Sequence, residues 1–495
     1  MSSLIIPFPT ELRPRLPTIV GNVDYRMLQQ RLEEIDALLL SSGVEREFVE
    51  LALQNWIEEG KRPPTARQQR KFQSRSRRAL RCTILRVLLQ EDFRGFTCQL
   101  AGNPLFHWFC GIDALDQVRV PSKSELQRFS AWLPMEQMRS ILDGLLLGAL
   151  DRPEELVLKE ALDLETYFLD TTCLKANIHF PVDWVLLRDG IRTLMKATLL
   201  IRDQGLKGRM EPPEEFLRRI NRLSIEMTHQ RRQADGRKGR KRVLRQMKKL
   251  VKVVREHARK HRQLLEEKWE QTEWTRPQAE VVLQRIDRVL ELLPQAQAQA
   301  HERIIGERQV KNREKILSLY DTDVRVIVRG KAGAEVEFGN TVLLGENRQG
   351  LILDFQIYQD QAPADAHLLV ESLERVGAAL GRMVGAVGAD RGFSNAANCE
   401  GLEHAGIFDG TCPRQPEQLK KRMKSKKFAE MQRRRSQTEA RISILKQGFF
   451  GRPMRAKGFA HRALAVAWGV LTHNLWMLAR LRKEKEKPKL PRQAA

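Results

Sequence analysis

The chain has 495 residues, with 86 Lys and Arg against 62 Asp and Glu, a formal net charge of +24. Apolar residues make up 42%, enough for sizeable cores, which excludes wholesale disorder, and a positive surplus of this size favours a polyanionic partner, nucleic acid first. The six cysteines (Cys82, Cys98, Cys110, Cys173, Cys399 and Cys412) form no C-x-x-C pair, which excludes a zinc ribbon and fits reduced thiols better than a disulfide framework.

The opening MSSLIIPFPTELRPRL lacks a charged start followed by a long apolar stretch, so no secretory signal is expected. From about 23 to 150 the pattern is helical: Leu28, Leu32, Ile35, Leu38 and Leu39 recur at helical spacing, as do Leu80, Ile84, Val87 and Leu88. Ser122, with Glu125 three residues on, reads as a capping box opening a short helix. The region is expected to be a helical bundle, with a helix-turn-helix element as one reading.

The pattern then changes. TYFLDTT (166–172) is a short β-rich run ending in an acid. AEVEFGNTVLLGE (334–346) and GLILDFQIYQD (350–360) predict a hairpin, 364–380 a helix, and MVGAVGAD (383–390) a buried strand and a turn. Helices are expected at 393–405 and, long and basic, at 417–446. This order predicts a mixed α/β layer.

Residues 185–318 interrupt it without a convincing strand. Between Arg231 and Arg262 there are 15 Lys or Arg against two acids, yet Val243, Met247, Leu250 and Val254 keep an apolar seam. An amphipathic or coiled-coil helix is expected, with a partner helix around Val281–Leu293. The segment Ala463–Leu481 holds Thr472, His473, Asn474 and Arg480, so it reads as a buried helix and not a membrane span. A soluble, intracellular protein with a disordered low-complexity tail after Arg482 is expected.

Asp170 and Asp390 each end an apolar strand run, where an acid is costly to desolvate unless a cation compensates it. Mg²⁺ takes hard oxygen ligands of this kind. On a helix, Arg435, Glu439 and Lys446 fall on one stripe, since steps of 4 and 7 are close to whole turns. The bland readings are a turn aspartate in each strand and a surface Arg435–Glu439 ion pair. His257 and His261, at i and i+4, read as a solvated helix, and Asp183 as a helix N-cap. Gly385, Gly388 and Gly392 lack a following G-K-[ST], which argues against nucleotide binding.

The spacing Arg435-x3-Glu439-x6-Lys446 resembles the signature of bacterial insertion-sequence transposases with a D-D-E triad, in which a tyrosine stands three residues before the arginine; here Gln432 occupies that place. FLDTTCLKANIHFPVDWVLL (168–187) resembles the segment with the first aspartate, and VGADRGFSNAAN (387–398) the second. AWGVLTHNLWMLARL (467–481) resembles the closing helix, and VPSKSELQRFS (120–130) a piece of the N-terminal domain.

The resemblance implies an α/β fold with a ribonuclease-H-like core. An N-terminal helical DNA-binding and dimerisation domain would span 1–160, with the core at 161–200 and 319–482. A basic helical insertion would occupy 201–318 and a disordered tail 483–495. Asp170, Asp390 and Glu439 would be catalytic acids holding Mg²⁺ or Mn²⁺, two ions with DNA bound. Arg435, Lys446, Arg441, Gln432 and Arg391 would touch DNA, as would Lys248, Lys249 and Lys252 in the basic insertion. The implied function is cleavage at transposon ends and transfer of the 3′-hydroxyl into target DNA. The protein would act as a homodimer on double-stranded DNA in the bacterial cytoplasm, with no membrane and no nucleotide cofactor. The rivals are a catalytically silent basic DNA-binding protein and a ribonuclease-H-like nuclease without strand transfer.

Overall fold

The computed structural model describes residues 23–60, 64–112, 117–331 and 334–483, so the expected tail from 484 on lies outside the described residues. The chain forms two compact units. The first comprises residues up to 174, 341–358 and those from 362 on; the second comprises 175–340 and 359–361.

In the first unit the apolar periodicity of the N-terminal third becomes helices α1 (Val23–Ser41), α2 (Val44–Glu59), α3 (Ala66–Leu89), α4 (Phe93–Gly102), α5 (Pro104–Cys110), α6 (Lys123–Phe129) and α7 (Met135–Asp151). The capping box forms as read: Ser122 Oγ accepts from the Glu125 N–H at 3.2 Å, and the Glu125 carboxylate from the Ser122 N–H at 3.1 Å. These helices do not bury a core of their own. Leu32, Phe48, Leu80 and Leu145 belong to the same apolar cluster as Leu169, Leu343, Leu369 and Val387 of the α/β part.

A mixed sheet is the centre of that part. Its strands are β1 (Tyr167–Lys175), the second half of β3 (Ala334–Asn347), β4 (Ile352–Ile357), β5 (Ala386–Ala389) and β6 (Phe408–Asp409), while β2 (Arg325–Lys331) pairs with the first half of β3, within the second unit's residues. The order is β2–β3–β1–β5–β6, with β4 also on β3. The second half of β3 pairs antiparallel with β4, while β1–β5 and β5–β6 are parallel. The hairpin turn closes through Gly350, whose φ of 85° is a left-handed conformation that a Cβ would strain. The path β4–β3–β1–β5–β6 with a central β1 is consistent with a ribonuclease-H-like core. The short, polar β2 run RVIVRGK and two-residue β6 were not anticipated from the sequence.

Around the sheet stand α12 (Asp365–Leu380), α13 (Ala396–His404), α14 (Pro416–Arg422), α15 (Lys426–Leu445) and α16 (Phe459–Leu481). The expected single basic helix over 417–446 is two helices. Met423–Ser425 break it, and Ser425 Oγ caps α15 by accepting from the Phe428 N–H at 3.5 Å. α16 is buried as expected, and its polar Asn474 is satisfied by the Ile352 backbone, at 2.9 Å to the N–H and 2.8 Å to the carbonyl. No helix among the described residues is long and apolar enough to cross a membrane.

The second unit holds α8 (Asp183–Asp203), α9 (Pro213–Arg232), α10 (Arg237–Lys268) and α11 (Arg276–Ile304). The expected α10–α11 pair forms, but within a four-helix core, not as a two-stranded coil. Leu187, Leu194, Phe216 and Ile220 of α8 and α9 cover Met247, Val251, Ile286 and Leu293. Asp183 is not the N-cap expected; Val182 holds that place, and the Asp183 carboxylate accepts from Arg303 and Gln299, both at 2.9 Å. His261 is a core residue: its Nδ1 donates to the His257 carbonyl at 2.8 Å and its Nε2 accepts from the Gly208 N–H at 3.3 Å.

Candidate active site

Two of the three acids are brought side by side by strand register. The parallel β1–β5 ladder pairs Tyr167 with Val387, Phe168 with Gly388 and Leu169 with Ala389, so the next residues along are Asp170 and Asp390. Both are half-buried. Each carboxylate has one oxygen engaged by a nearby backbone donor: Asp170 Oδ1 accepts from the Thr171 N–H at 2.7 Å, and Asp390 Oδ1 from the Gly392 N–H at 2.8 Å. Charge-assisted bonds of this kind hold a carboxylate without neutralising it.

Strand alternation places Phe168, Asp170 and Thr172 on one face of β1. That face lies under α15. Met431 packs on Phe168 and Ala386, the Arg434 guanidinium sits 5.0 Å over the Phe168 ring, and Lys446 Nζ donates to Thr172 Oγ1 at 3.0 Å. The helix and the turn that continues it from Lys446 therefore touch β1 on both sides of Asp170, and Glu439 lies between those two contacts along the chain. Glu439 is exposed. Among the described residues no group of three or more His, Cys, Asp or Glu side chains could hold a metal ion, so Glu439 does not close a ligand set with the aspartates here. The donors themselves are hard carboxylate oxygens of two half-buried neighbouring aspartates, which suits Mg²⁺ or Mn²⁺.

The cations expected to meet DNA divide into two sorts. Arg391 is exposed directly after Asp390, and Lys446 reaches Thr172 two residues past Asp170. Arg435 Nε donates to Gln432 Oε1 at 3.4 Å, and Gln432 Nε2 to the Gly410 carbonyl at 2.7 Å, so Gln432 ties α15 to the chain after β6. Arg441 faces inward instead of out, 3.5 Å from Glu346 on β3. Lys248, Lys249 and Lys252 stand on α10, in the second unit.

Two residues that sequence reasoning missed support this geometry. Glu346 is buried, accepts from Thr438 Oγ1 at 2.9 Å and pairs with Arg434 at 3.2 Å. Burial pushes its carboxyl above the usual range, and Arg434 and Arg441 pull it partly back. An acid in a hairpin strand reads as solvent-facing, and nothing local in the sequence separates this one from that case. Asp365, the first residue of α12, accepts from Thr171 Oγ1 at 3.1 Å. A Cβ on Gly392 would lie 2.7 Å from Asp365 Oδ2 and 3.0 Å from Asp390 Oδ1, so both carboxylates crowd this glycine. Asn398 fixes the same turn, donating to the Ala366 carbonyl at 2.7 Å and the Phe393 carbonyl at 2.8 Å.

Comparison with known proteins agrees with the geometry. The family model of the transposase DDE domain matches residues 331–475, under a third of the chain, including Asp390 and Glu439 but not Asp170. No curated protein and no solved structure matches the chain. Residues 331–475 are therefore similar to the transposase DDE domain.

Proposed function

We propose that the chain cleaves DNA at the ends of a mobile element and joins the freed 3′-hydroxyl to target DNA, with Asp170, Asp390 and Glu439 as the catalytic acids. The observation that carries this reading is the β1–β5 register, which sets Asp170, inside β1, beside Asp390, the residue after β5, where the pairing of the two parallel strands stops. The two aspartates, joined by Glu439, would hold a divalent metal, Mg²⁺ or Mn²⁺. Such ions activate the attacking oxygen and stabilise the departing one in an in-line displacement at phosphorus.

The rest is the work of the chain. Thr171 and Gly392 N–H groups orient the two carboxylates. Lys446, Arg435 and Arg391 receive the phosphate charge beside the acids. Glu346, by gripping Arg434, Thr438 and Arg441, keeps α15 and hence Glu439 over the β1 face. Cleavage and joining then differ only in the oxygen that attacks: water first, the 3′-hydroxyl afterwards. In the joining step one P–O bond forms as another breaks, so no external energy source is needed. A homodimer would hold two element ends together.

Asp170→Asn, Asp390→Asn and Glu439→Gln should each abolish Mg²⁺-dependent cleavage of a duplex carrying the element's end, by roughly a thousandfold or more, while duplex binding survives. Cleavage retained by any purified, folded variant would contradict the assignment of that acid. Joining of a pre-nicked end to plasmid DNA separates transposition from simple nuclease action.

A further inference from the structure

We propose that the outer face of α10 is a binding surface for the phosphate backbone of duplex DNA. Arg245, Lys248, Lys249, Lys252, Arg255 and Arg259 stand on one side of this helix, whose other side, Val243, Met247, Val251, Val254 and Ala258, is buried in the four-helix core. At 100° per residue the six cations occupy an arc of about 120° and, at 1.5 Å per residue, a length of about 21 Å. Phosphates of one DNA strand recur about every 3.4 Å along the duplex axis, so the ridge spans roughly six of them.

The same helix shows that pairing was available and is absent where the ridge lies. Toward its ends, Lys241 pairs with Glu307 at 2.7 Å, Arg242 with Glu226 at 2.9 Å and Arg262 with Asp287 at 2.9 Å. Among the described residues none of the six ridge cations makes an ion pair; Lys248 has a neutral contact, His301 Nδ1, at 3.2 Å. Like charges three and four residues apart destabilise a helix. Arg255 carries that cost visibly: its Nε is buried without a hydrogen-bond partner, and burial and Arg259 depress its guanidinium below the usual range. An anion bound along the ridge would remove the repulsion.

The groove beside the ridge decides between partners. It encloses about 430 Å³ and is lined by five of the cations, with Gln297 across from them and a single acid, Glu256. No apolar side chain lines it, whereas protein partners are anchored by aromatic and apolar side chains. Single-stranded nucleic acid is held on aromatic stacking platforms, which are likewise missing. A duplex backbone, read by charge alone, fits what is there, and such contacts position DNA without specifying sequence.

The inference borrows from the proposed function only the choice of duplex DNA as ligand. Its test is the affinity of the full chain for a duplex over a range of NaCl concentrations, comparing wild type with Lys248→Gln/Lys249→Gln/Lys252→Gln/Arg259→Gln. Four lost phosphate contacts should reduce the slope of log K against log salt by about 3–4, equally for unrelated sequences. Without DNA the variant should melt no lower than wild type, since repulsion has been relieved. If it melts lower, Lys249→Gln and Lys252→Gln are read singly, each with an expected slope change of about 0.9. An unchanged slope in folded protein overturns the proposal, as does wild-type duplex binding with loss confined to single strands or to a protein partner. Loss of cleavage in the acid variants with the slope change intact would leave the ridge standing, and the reverse outcome would leave the acids standing.

Discussion

Two long basic helices, α15 and α10, use the same residue types in opposite ways. On α15 three of the four arginines are tied down: Arg434 and Arg441 to Glu346, and Arg435 to Gln432. Lys446 is held by Thr172. Arg434 and Arg441 there fix the helix over the β1 face that carries Asp170. On α10 the middle cations make no ion pair among the described residues, and the core beneath them is made by apolar side chains such as Val243, Met247, Val251 and Ala258. The charge of Arg434 and Arg441 is scaffold; that of the α10 ridge is surface. Net charge, which is the same kind of number for both, does not distinguish them.

The largest way to break this contrast is to remove the scaffold acid. Glu346→Ala would strand Arg434 and Arg441 at a half-buried site, which should destabilise the fold by about 3 kcal/mol in denaturant unfolding. A loss near zero would show that α15 is held by Met431 and Ile442 packing alone. Cleavage should fall along with stability, since Glu439 rides on the same helix.

Gly392→Ala sharpens the comparison at the strand end. The new methyl would press on Asp365 and Asp390, so cleavage should drop by about tenfold or more while global stability changes by about 1 kcal/mol or less. Equal cleavage by the variant would mean that the turn shifts without moving Asp390.

A smaller effect concerns Asp143 on α7, whose carboxyl is pushed up from 3.8 to about 6 by burial and by Asp354 and Glu47, against the pull of Arg139. An acid with a raised folded-state value favours the folded state at low pH, and this contribution is lost as pH rises through about 6. At pH 7.5 Asp143→Asn should therefore be more stable than wild type by about 1–2 kcal/mol, an advantage that shrinks below pH 5. A pH-independent difference in melting would assign the effect to packing.

Much of the sheet was legible before the structure. β1, β3 and β4 carry runs of Val, Ile, Leu and Phe, and β5 is a short Ala-Val-Gly-Ala run closed by an acid. The two aspartates stood out at the close of apolar runs; Asp390 does follow its strand, but Asp170 lies inside β1, which continues through Thr172 and Leu174 to Lys175. Glu346 and Asp365 did not, because their importance comes from long-range neighbours, Arg434 and Thr171, that periodicity cannot supply. The direction of Arg441 was lost for the same reason: a helical stripe gives neighbours on one helix, not the acid on the facing strand. The break at Met423–Ser425 was hidden by uniform Lys and Arg on both sides. The insertion's apolar seam was read correctly, but a seam does not say how many helices share it.

The account stands most directly on where a divalent ion binds. Anomalous scattering from Mn²⁺ in crystals of the protein with duplex DNA should place an ion between Asp170 and Asp390, with the Glu439 carboxylate among its ligands. Mn²⁺ absent from that pair, or bound there with Glu439 still turned to solvent in the DNA complex, would contradict it.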